Sequence, residues 1–179
     1  MRMLAAALLG VAIAESVMVF GSRGALQPAE PTLAYRQAKA EALFASAFRQ
    51  FGRSPRVDLA QFRGKPLLVL FWAAWCEECR NEARALARLP RRTAIGGLTV
   101  IAIGVDQADR LERFVRDSGI DYPVFVAGED GIDLSKKLGN LLGELPFTAA
   151  IDAEGAFITG HLGRADLATL NTLAAAALK

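Results

Sequence analysis

Residues 67–79 carry the most informative pattern in the chain: Leu67-Leu68-Val69-Leu70-Phe71-Trp72-Ala73-Ala74-Trp75-Cys76-Glu77-Glu78-Cys79. The six apolar residues that open it follow Lys65-Pro66 and predict a strand that is covered on both faces. From Cys76 to Leu89 the residues favour a helix, which Pro90 ends. The sequence therefore predicts a strand-to-helix junction with a Cys-x-x-Cys pair at the start of the helix.

The position of this cysteine pair favours redox chemistry. The free N–H groups and the dipole of a helix N-terminus stabilise a thiolate at Cys76, and the thiolate is the attacking species. Cys79 lies one turn further on, close enough to attack a mixed disulfide between Cys76 and a partner. The chain has no other cysteine. A bridge between residues three positions apart closes almost no loop, so its role is chemical rather than structural.

A zinc half-site is the alternative explanation of Cys-x-x-Cys. Structural zinc needs four ligands, and the chain offers two cysteines and one histidine. Ligand counting therefore favours a redox pair, and we predict no metal site and no cofactor beyond the Cys76–Cys79 disulfide.

Glu77 and Glu78 separate the two cysteines. Negative charge beside a developing thiolate opposes it, and a less stabilised thiolate favours the disulfide form. The pair is therefore predicted to be a reductant. The alternative, that both carboxylates are solvated and matter little, stays open because solvent and salt screen exposed charges.

The remaining pattern predicts an α/β fold. A second buried strand covers residues 98–105, and Asp106 is placed to cap a helix that turns Leu111, Phe114 and Val115 inward and ends before Gly119. Strand, helix, strand and helix in succession predict parallel pairing. The other predicted elements are helices at 32–41, 133–138 and 165–178, a strand at 122–126, and hairpins at 43–48 with 57–59 and at 147–151 with 156–162. We expect a central mixed sheet of four or five strands with helices on both faces.

Charge and length narrow the function classes. The 179 residues carry 21 Lys and Arg against 19 Asp and Glu, a net charge of +2 that gives no reason to expect a nucleic-acid partner. The arginines that cluster after the cysteines are interpreted as a solvated helix face with a basic end: Arg80, Arg84, Arg88, Arg91 and Arg92.

The N-terminus predicts export. Met1-Arg2-Met3 precedes eleven residues without a charge, Leu4 to Ala14, which is the layout of a signal peptide. Glu15 interrupts the apolar run, so a membrane anchor and a cleaved signal both stay open. The predicted organisation is a signal peptide or anchor at 1–26, a linker and helix at 27–42, and one domain at 43–179. The domain is expected in the periplasm or another extracytoplasmic space.

Several motifs together resemble the TlpA/ResA branch of the thioredoxin superfamily. They are Asp58-Leu59-Ala60-Gln61-Phe62-Arg63-Gly64-Lys65-Pro66, the stretch from Phe71 to Glu82, Tyr122-Pro123-Val124, Leu138-Gly139-Asn140 and Leu145-Pro146-Phe147-Thr148-Ala149-Ala150-Ile151-Asp152. The resemblance covers roughly residues 43–173. It implies a thioredoxin-like fold with an N-terminal hairpin and an insertion between Cys76 and Pro146, and it implies thiol-disulfide exchange.

The resemblance also implies roles for further residues. Pro146 would be a cis-proline facing the cysteines, and the backbone from Leu145 would bind a substrate strand. Without the resemblance, a trans turn is the better explanation of Leu145-Pro146. Trp75 would shield Cys76 and contact substrate, the alternative being that Trp72 and Trp75 are simply one core and one surface tryptophan. Thioredoxins carry a buried aspartate where this chain has Leu70, so we expect Glu82 to take the Cys79 proton, the alternative being an exposed helix glutamate.

The chain departs from the family pattern at two positions. Glu78 and Arg84 stand where the family usually has proline. Both changes make the helix more regular and leave the usual reduction potential open.

The implied partners are disulfides of exported proteins, such as c-type apocytochromes, with a membrane thiol transporter as electron donor. Two rival functions remain. One is a Sco-like copper chaperone that would use the cysteines and His161, although such proteins place three residues between their cysteines. The other is a peroxide-reducing redoxin, whose Pro-x-x-x-Thr-x-x-Cys arrangement is absent before Cys76.

Overall fold

The computed structural model describes residues 31–52, 55–89 and 97–179. All of them belong to one compact unit, Pro31–Lys179. The predicted signal peptide or anchor at 1–26 therefore lies outside the described residues. Within the described part of the chain, no helix is both long enough and apolar enough to cross a membrane.

A seven-stranded mixed sheet forms the centre of this unit, with the strand order β2-β1-β5-β4-β3-β6-β7. Its strands are β1 (Ala47–Gln50), β2 (Val57–Asp58), β3 (Leu67–Trp72), β4 (Thr99–Gly104), β5 (Val124–Val126), β6 (Phe147–Ile151) and β7 (Phe157–Leu162). Strands β3, β4 and β5 are parallel neighbours, and β6 runs antiparallel to β3. The prediction of four or five strands was too low, because β1 pairs with β5 and so adds the N-terminal hairpin to the sheet.

In the part of the chain that the structure describes, five α-helices cover the sheet: α1 (Leu33–Phe44), α2 (Glu77–Arg88), α3 (Ala108–Ser118), α4 (Glu129–Lys137) and α5 (Leu167–Ala177). A short 3₁₀ helix spans Leu59–Phe62. The α/β fold with helices on both faces of a mixed sheet is thereby confirmed.

Strand β3 lies between two hydrophobic cores, and all six of its residues are buried. Its side chains alternate between the faces, as a period of two requires. Leu68, Leu70 and Trp72 join the core formed with α2, α3 and α5, whereas Leu67, Val69 and Phe71 join the core formed with α1 and α4. The unbroken apolar run at 67–72 is therefore explained by burial on both faces.

Helix α1 is longer than the sequence predicted. It runs to Phe44 and buries Ala40, Leu43 and Phe44 in the core. The domain boundary predicted at residue 43 falls within its last turn, and the first hairpin strand starts at Ala47 instead. The reason is that Leu43 and Phe44 fit the apolar face of a helix as well as they fit a strand.

Three local predictions were wrong. Helix α4 begins at Glu129, one turn before the predicted start at 133. Helical spacing predicts an apolar stripe on α5 made of Leu167, Leu170, Ala174 and Ala177, but Leu167 is exposed and Leu173 takes its place on the buried face. Asp106 does not cap α3, because the N-cap residue is Gln107 and it makes no side-chain capping hydrogen bond.

Candidate active site

The two cysteines form a disulfide at the N-terminus of α2. Cys76 is the N-cap residue, and its sulfur accepts a hydrogen bond of 3.1 Å from the backbone N–H of Cys79. Cys76 is 8% exposed whereas Cys79 is fully buried, so an incoming reactant reaches Cys76 first. Donation of a helix N–H to this sulfur favours negative charge on it.

The loop of residues 73–75 carries the chain from β3 to Cys76. The N–H of Cys76 donates to the carbonyl of Ala73 at 3.3 Å, which closes a tight turn. At the end of β3, the N–H of Val105 donates to the carbonyl of Trp72 at 2.7 Å. The main chain that follows β4 is therefore hydrogen-bonded to the end of β3, where the loop to Cys76 begins.

Trp75 precedes the reactive cysteine and is 64% exposed. It borders two open clefts of about 420 and 450 Å³. The first cleft is lined further by Asp106, Gln107 and Gly128, and the second by Arg80 and Phe114. Trp75 thus presents an apolar surface next to the disulfide, and its predicted contact with substrate stays a prediction.

The peptide bond between Leu145 and Pro146 is cis, as the resemblance implies. Pro146 immediately precedes β6, whose first residue, Phe147, is opposite Phe71 near the end of β3. Because the two strands are antiparallel, the start of β6 and the end of β3 lie at the same edge of the sheet. The cis-proline loop and the loop that leads to Cys76 therefore share this edge.

Glu82 is buried on the inner face of α2, one turn beyond Cys79, and is only 1% exposed. Its Oε1 accepts a hydrogen bond from the Thr148 hydroxyl at 2.5 Å, and its Oε2 accepts one from the Ala165 N–H at 2.8 Å. Burial raises the pKa of this carboxyl, while the two hydrogen bonds and the charge of His161 oppose the rise. The alternative of an exposed helix glutamate is thereby excluded, whereas the role of Glu82 as a base stays a prediction.

Leu70 and Tyr122 complete the surroundings of the buried cysteine. Leu70 is fully buried in the same core as Cys79, so the site carries an aliphatic side chain at this point. The hydroxyl of Tyr122 donates to the carbonyl of Ala83 on α2 at 2.8 Å. Burial, and then the negative charge of Glu82, raises the pKa of Tyr122 well above its usual value. Glu82 is thus the acidic side chain that α2 places inside this core.

His161 lies on β7 opposite Thr148, and its Nε2 is 3.3 Å from the carbonyl oxygen of Arg164. Among residues 31–52, 55–89 and 97–179, no three or more His, Cys, Asp or Glu side chains are grouped so that they could hold a metal ion.

Sequence reasoning missed four residues that contact this site: Thr148, Ala165, Arg80 and Asp106. Thr148 gave a signal, because a polar side chain within the apolar stretch 147–151 requires a buried hydrogen-bond partner. Ala165 contributes only its backbone N–H, so its side chain gives no signal. The contacts of Arg80 and Asp106 with the loop before Cys76 depend on the packing of α2 and α3, which no local pattern reveals.

The AhpC/TSA family matches residues 45–158, which is well over half of the chain. The chain belongs to the AhpC/TSA family. Among curated relatives, this member of the family is 27% identical over 105 residues to the thiol-disulfide oxidoreductase ResA of Bacillus subtilis, a match that covers 56% of the chain and 54% of that protein. It is 32% identical over 109 residues to the thiol:disulfide interchange protein DsbE of Vibrio cholerae, covering 59% of the chain and 54% of that protein. The chain therefore spans little more than half the length of these relatives.

Solved structures agree on the fold of this AhpC/TSA family member. The structure of MTB dsbF in mixed oxidized and reduced forms superposes with a TM-score of 0.65 at 19% identity, covering 76% of this chain and 98% of that one. A thiol:disulfide interchange protein of the thioredoxin family from Chlorobium tepidum gives a TM-score of 0.61 at 25% identity, covering 69% and 87% of the two chains. Together these matches confirm the resemblance to TlpA/ResA-type proteins of the thioredoxin superfamily.

Proposed function

We propose that this protein is a thiol-disulfide oxidoreductase that reduces disulfides in exported proteins. The observation that carries the proposal is the disulfide at the N-terminus of α2, where one sulfur is reachable and the other is buried. A structural disulfide between residues three positions apart would add little stability, whereas the arrangement suits an attacking and a resolving cysteine.

The reaction starts from the reduced pair. The Cys76 thiolate attacks one sulfur of the substrate disulfide, which forms a mixed disulfide and expels the other substrate sulfur as a thiolate. Cys79 then loses its proton and attacks Cys76 Sγ, so the first substrate sulfur leaves and the Cys76–Cys79 disulfide forms. Two electrons pass to the substrate, and an external dithiol must return them before the next cycle.

Glu82 is the proposed acceptor of the Cys79 proton. It lies one turn along α2 from Cys79, on the same buried face. A carboxylate whose pKa is raised by burial accepts a proton from a thiol more readily than an exposed one does. Leu70 cannot serve in this role because it has no ionisable group.

Substrate is proposed to bind along the shared edge of the sheet. An extended segment would pair with the backbone at Leu145, beside cis-Pro146, while Trp75 covers the apolar part of the segment next to its cysteine. Main-chain pairing gives affinity with little sequence selectivity, which suits an enzyme that acts on more than one protein.

The compartment and the partners belong to the same proposal. The apolar segment at residues 4–20 favours export, with or without a retained anchor. The curated relatives are named ResA and DsbE, thiol-disulfide oxidoreductases. We therefore propose an extracytoplasmic site of action, substrates that include the disulfides of c-type apocytochromes, and a membrane thiol transporter as the electron donor.

The test is reduction of insulin by dithiothreitol in the presence of the protein. Wild-type protein is expected to accelerate precipitation of the insulin B chain, and Cys76→Ser is expected to abolish the acceleration. Faster consumption of hydrogen peroxide than of insulin disulfide would favour the peroxide-reducing alternative instead. Stoichiometric copper binding by the reduced protein that is lost in His161→Ala would favour the copper chaperone.

A further inference from the structure

The residue two positions before the reactive cysteine is held on both sides by charged side chains. The backbone N–H of Ala74 donates to Oδ2 of Asp106 at 3.1 Å. The backbone carbonyl of Ala74 accepts a hydrogen bond of 2.8 Å from Nη1 of Arg80. Both main-chain polar groups of Ala74 are therefore bound by ionised partners, and such hydrogen bonds are stronger than those between neutral groups. We call this arrangement the Ala74 clamp.

Asp106 is itself held firmly. It follows the strand β4 and has a side chain that is only 3% exposed. Its Oδ1 accepts the N–H of Gln107 at 2.7 Å and lies 3.6 Å from Nη1 of Arg110. These contacts leave Oδ2 directed at Ala74 and fix the carboxylate relative to the start of α3. The clamp thereby joins the loop before Cys76 to a second element of the sheet edge.

Arg80 joins the same loop to the helix that carries the cysteines. It directly follows Cys79 in sequence, and its backbone N–H donates to the carbonyl of Cys76 at 3.1 Å. Its guanidinium turns back toward the helix N-terminus to reach Ala74. Arg80 therefore donates hydrogen bonds to the backbone carbonyls of both Ala74 and Cys76.

Trp75 directly follows the clamped residue in sequence. Because its side chain is 64% exposed, the main chain on either side largely decides where the ring lies. Ala74 precedes Trp75 and Cys76 follows it, so a shift of Ala74 moves the ring and the sulfur together.

We propose that Asp106 and Arg80 are positioning residues for attack by Cys76. They hold Ala74 so that Trp75 and the sulfur of Cys76 meet a bound disulfide in a reactive geometry. This role rests on the proposed thiol-disulfide exchange, because it concerns the same sulfur. Displacements of about 1 Å at a reacting centre cost up to about a hundredfold in rate, so a pair of well-directed hydrogen bonds is enough to matter.

The experiment compares Asp106→Ala, Asp106→Asn and Arg80→Gln with two matched controls. Asp109→Ala removes an acidic residue of α3 that pairs with Arg113 on the surface, and Arg88→Gln removes an exposed arginine from the far end of α2. Three quantities are measured on each reduced protein whose circular dichroism spectrum is that of the native fold. The first is the rate constant for reduction of a protein disulfide. The second is the rate constant for alkylation of Cys76 by iodoacetamide at a pH where Cys76 is fully ionised. The third is the rate of hydrogen exchange of the Ala74 amide.

Asp106→Ala is expected to lower the rate constant for the protein disulfide about tenfold while changing the iodoacetamide rate less than about twofold, since a small reagent needs no docking geometry. Exchange of the Ala74 amide should accelerate in the same variant. The rate constant for the protein disulfide should fall less in Asp106→Asn than in Asp106→Ala, because asparagine keeps an acceptor oxygen. In the double variant Asp106→Ala/Arg80→Gln, the fold reduction of the rate constant for the protein disulfide should be smaller than the product of the fold reductions in the two single variants. Both side chains hold the same residue, so their effects are not independent.

The positioning role is overturned if Asp106→Ala reacts with the protein disulfide at the rate of Asp109→Ala, or if both reagents slow equally. Should Asp106→Ala fail to fold, Asp106→Asn and Arg80→Gln decide by the same criteria. Wild-type protein that exchanges no disulfide overturns the proposed function itself, whereas an active wild type that is insensitive to these changes overturns only the clamp.

Discussion

The hydroxyl of Thr148 donates a hydrogen bond of 2.5 Å to Oε1 of Glu82, which ties α2 to β6 inside the core. The bond joins the helix that carries both cysteines to the strand that follows cis-Pro146. It also stabilises the ionised form of Glu82, in opposition to burial. The ionisation of Glu82 and the contact between these two elements are therefore linked.

Replacing Thr148 with Val should raise the pKa of Glu82 further, because the variant loses a hydrogen bond that lowers it. If Glu82 must be ionised to accept a proton, the acidic limb of the turnover profile moves to higher pH. The loss should also lower the free energy of unfolding by about 1–3 kcal/mol, since a buried acceptor is left without its donor. A pH–rate profile and denaturant unfolding test this. The exposed substitution Thr172→Val is the control. An acidic limb at the same pH in both variants would contradict the link between the Thr148 hydrogen bond and the ionisation of Glu82.

Replacing Glu82 with Gln should change how stability depends on pH. The pKa of Glu82 is raised on folding, so the folded state holds the proton more tightly, and wild-type stability falls as pH rises from the unfolded pKa through the folded one. Glu82→Gln lacks this decrease. Unfolding free energies of both proteins between pH 4 and pH 8 (about the range that a buried carboxyl covers) test it. The exposed substitution Glu78→Gln should keep the wild-type slope, and parallel curves for all three proteins would contradict the prediction.

The charges between the cysteines should set the reduction potential. Glu77 and Glu78 are exposed in the first turn of α2. We expect their charges to oppose a thiolate on Cys76. The wild-type potential is expected below about −200 mV, and Glu77→Gln/Glu78→Gln should raise it, because a better stabilised thiolate favours the reduced form. Equilibration with glutathione measures both values. Salt screens exposed charges, so the difference in reduction potential between the wild type and the double variant should shrink in 1 M salt. A wild-type potential near about −120 mV would contradict the assignment as a reductant.

Tyr122→Phe should destabilise the protein by about 1 kcal/mol, because the buried hydrogen bond to the Ala83 carbonyl is lost. The other tyrosine of the chain provides the control. Tyr35 is 60% exposed, so Tyr35→Phe should change the free energy of unfolding by less than about 0.5 kcal/mol. Denaturant unfolding of the two variants is sufficient, and equal effects would show that the buried hydroxyl contributes nothing.

Much of the fold follows from periodicity in the sequence. The unbroken run at 67–72 predicted β3, and the hairpin at 147–162 was predicted within one residue at each end. The errors occurred where tertiary pairing decides. β1 joins the sheet through β5, a contact between segments about 75 residues apart that no local pattern records.

The candidate site divides in the same way. Cys76 and Cys79 could be predicted from spacing and ligand counting, and the cis bond at Pro146 only through family resemblance. The Thr148 and Ala165 hydrogen bonds to Glu82 could not be predicted, since they require α2, β6 and the segment that precedes α5 to meet. Asp106 shows the limit most clearly. Its type and position fit a helix cap, but its carboxylate accepts the N–H groups of Ala74 and of the N-cap residue Gln107 rather than one from the first turn of α3.

The central claim is that Cys76 attacks and Cys79 resolves, and trapping tests it most directly. Reduced Cys79→Ser protein is mixed with a disulfide-bonded exported protein, and the covalent product is digested and mapped by mass spectrometry. The account predicts a mixed disulfide at Cys76 that accumulates in Cys79→Ser, is only transient in wild type, and is absent from Cys76→Ser. Equal substrate reduction by Cys76→Ser and wild type, or no covalent product with Cys79→Ser, would contradict it.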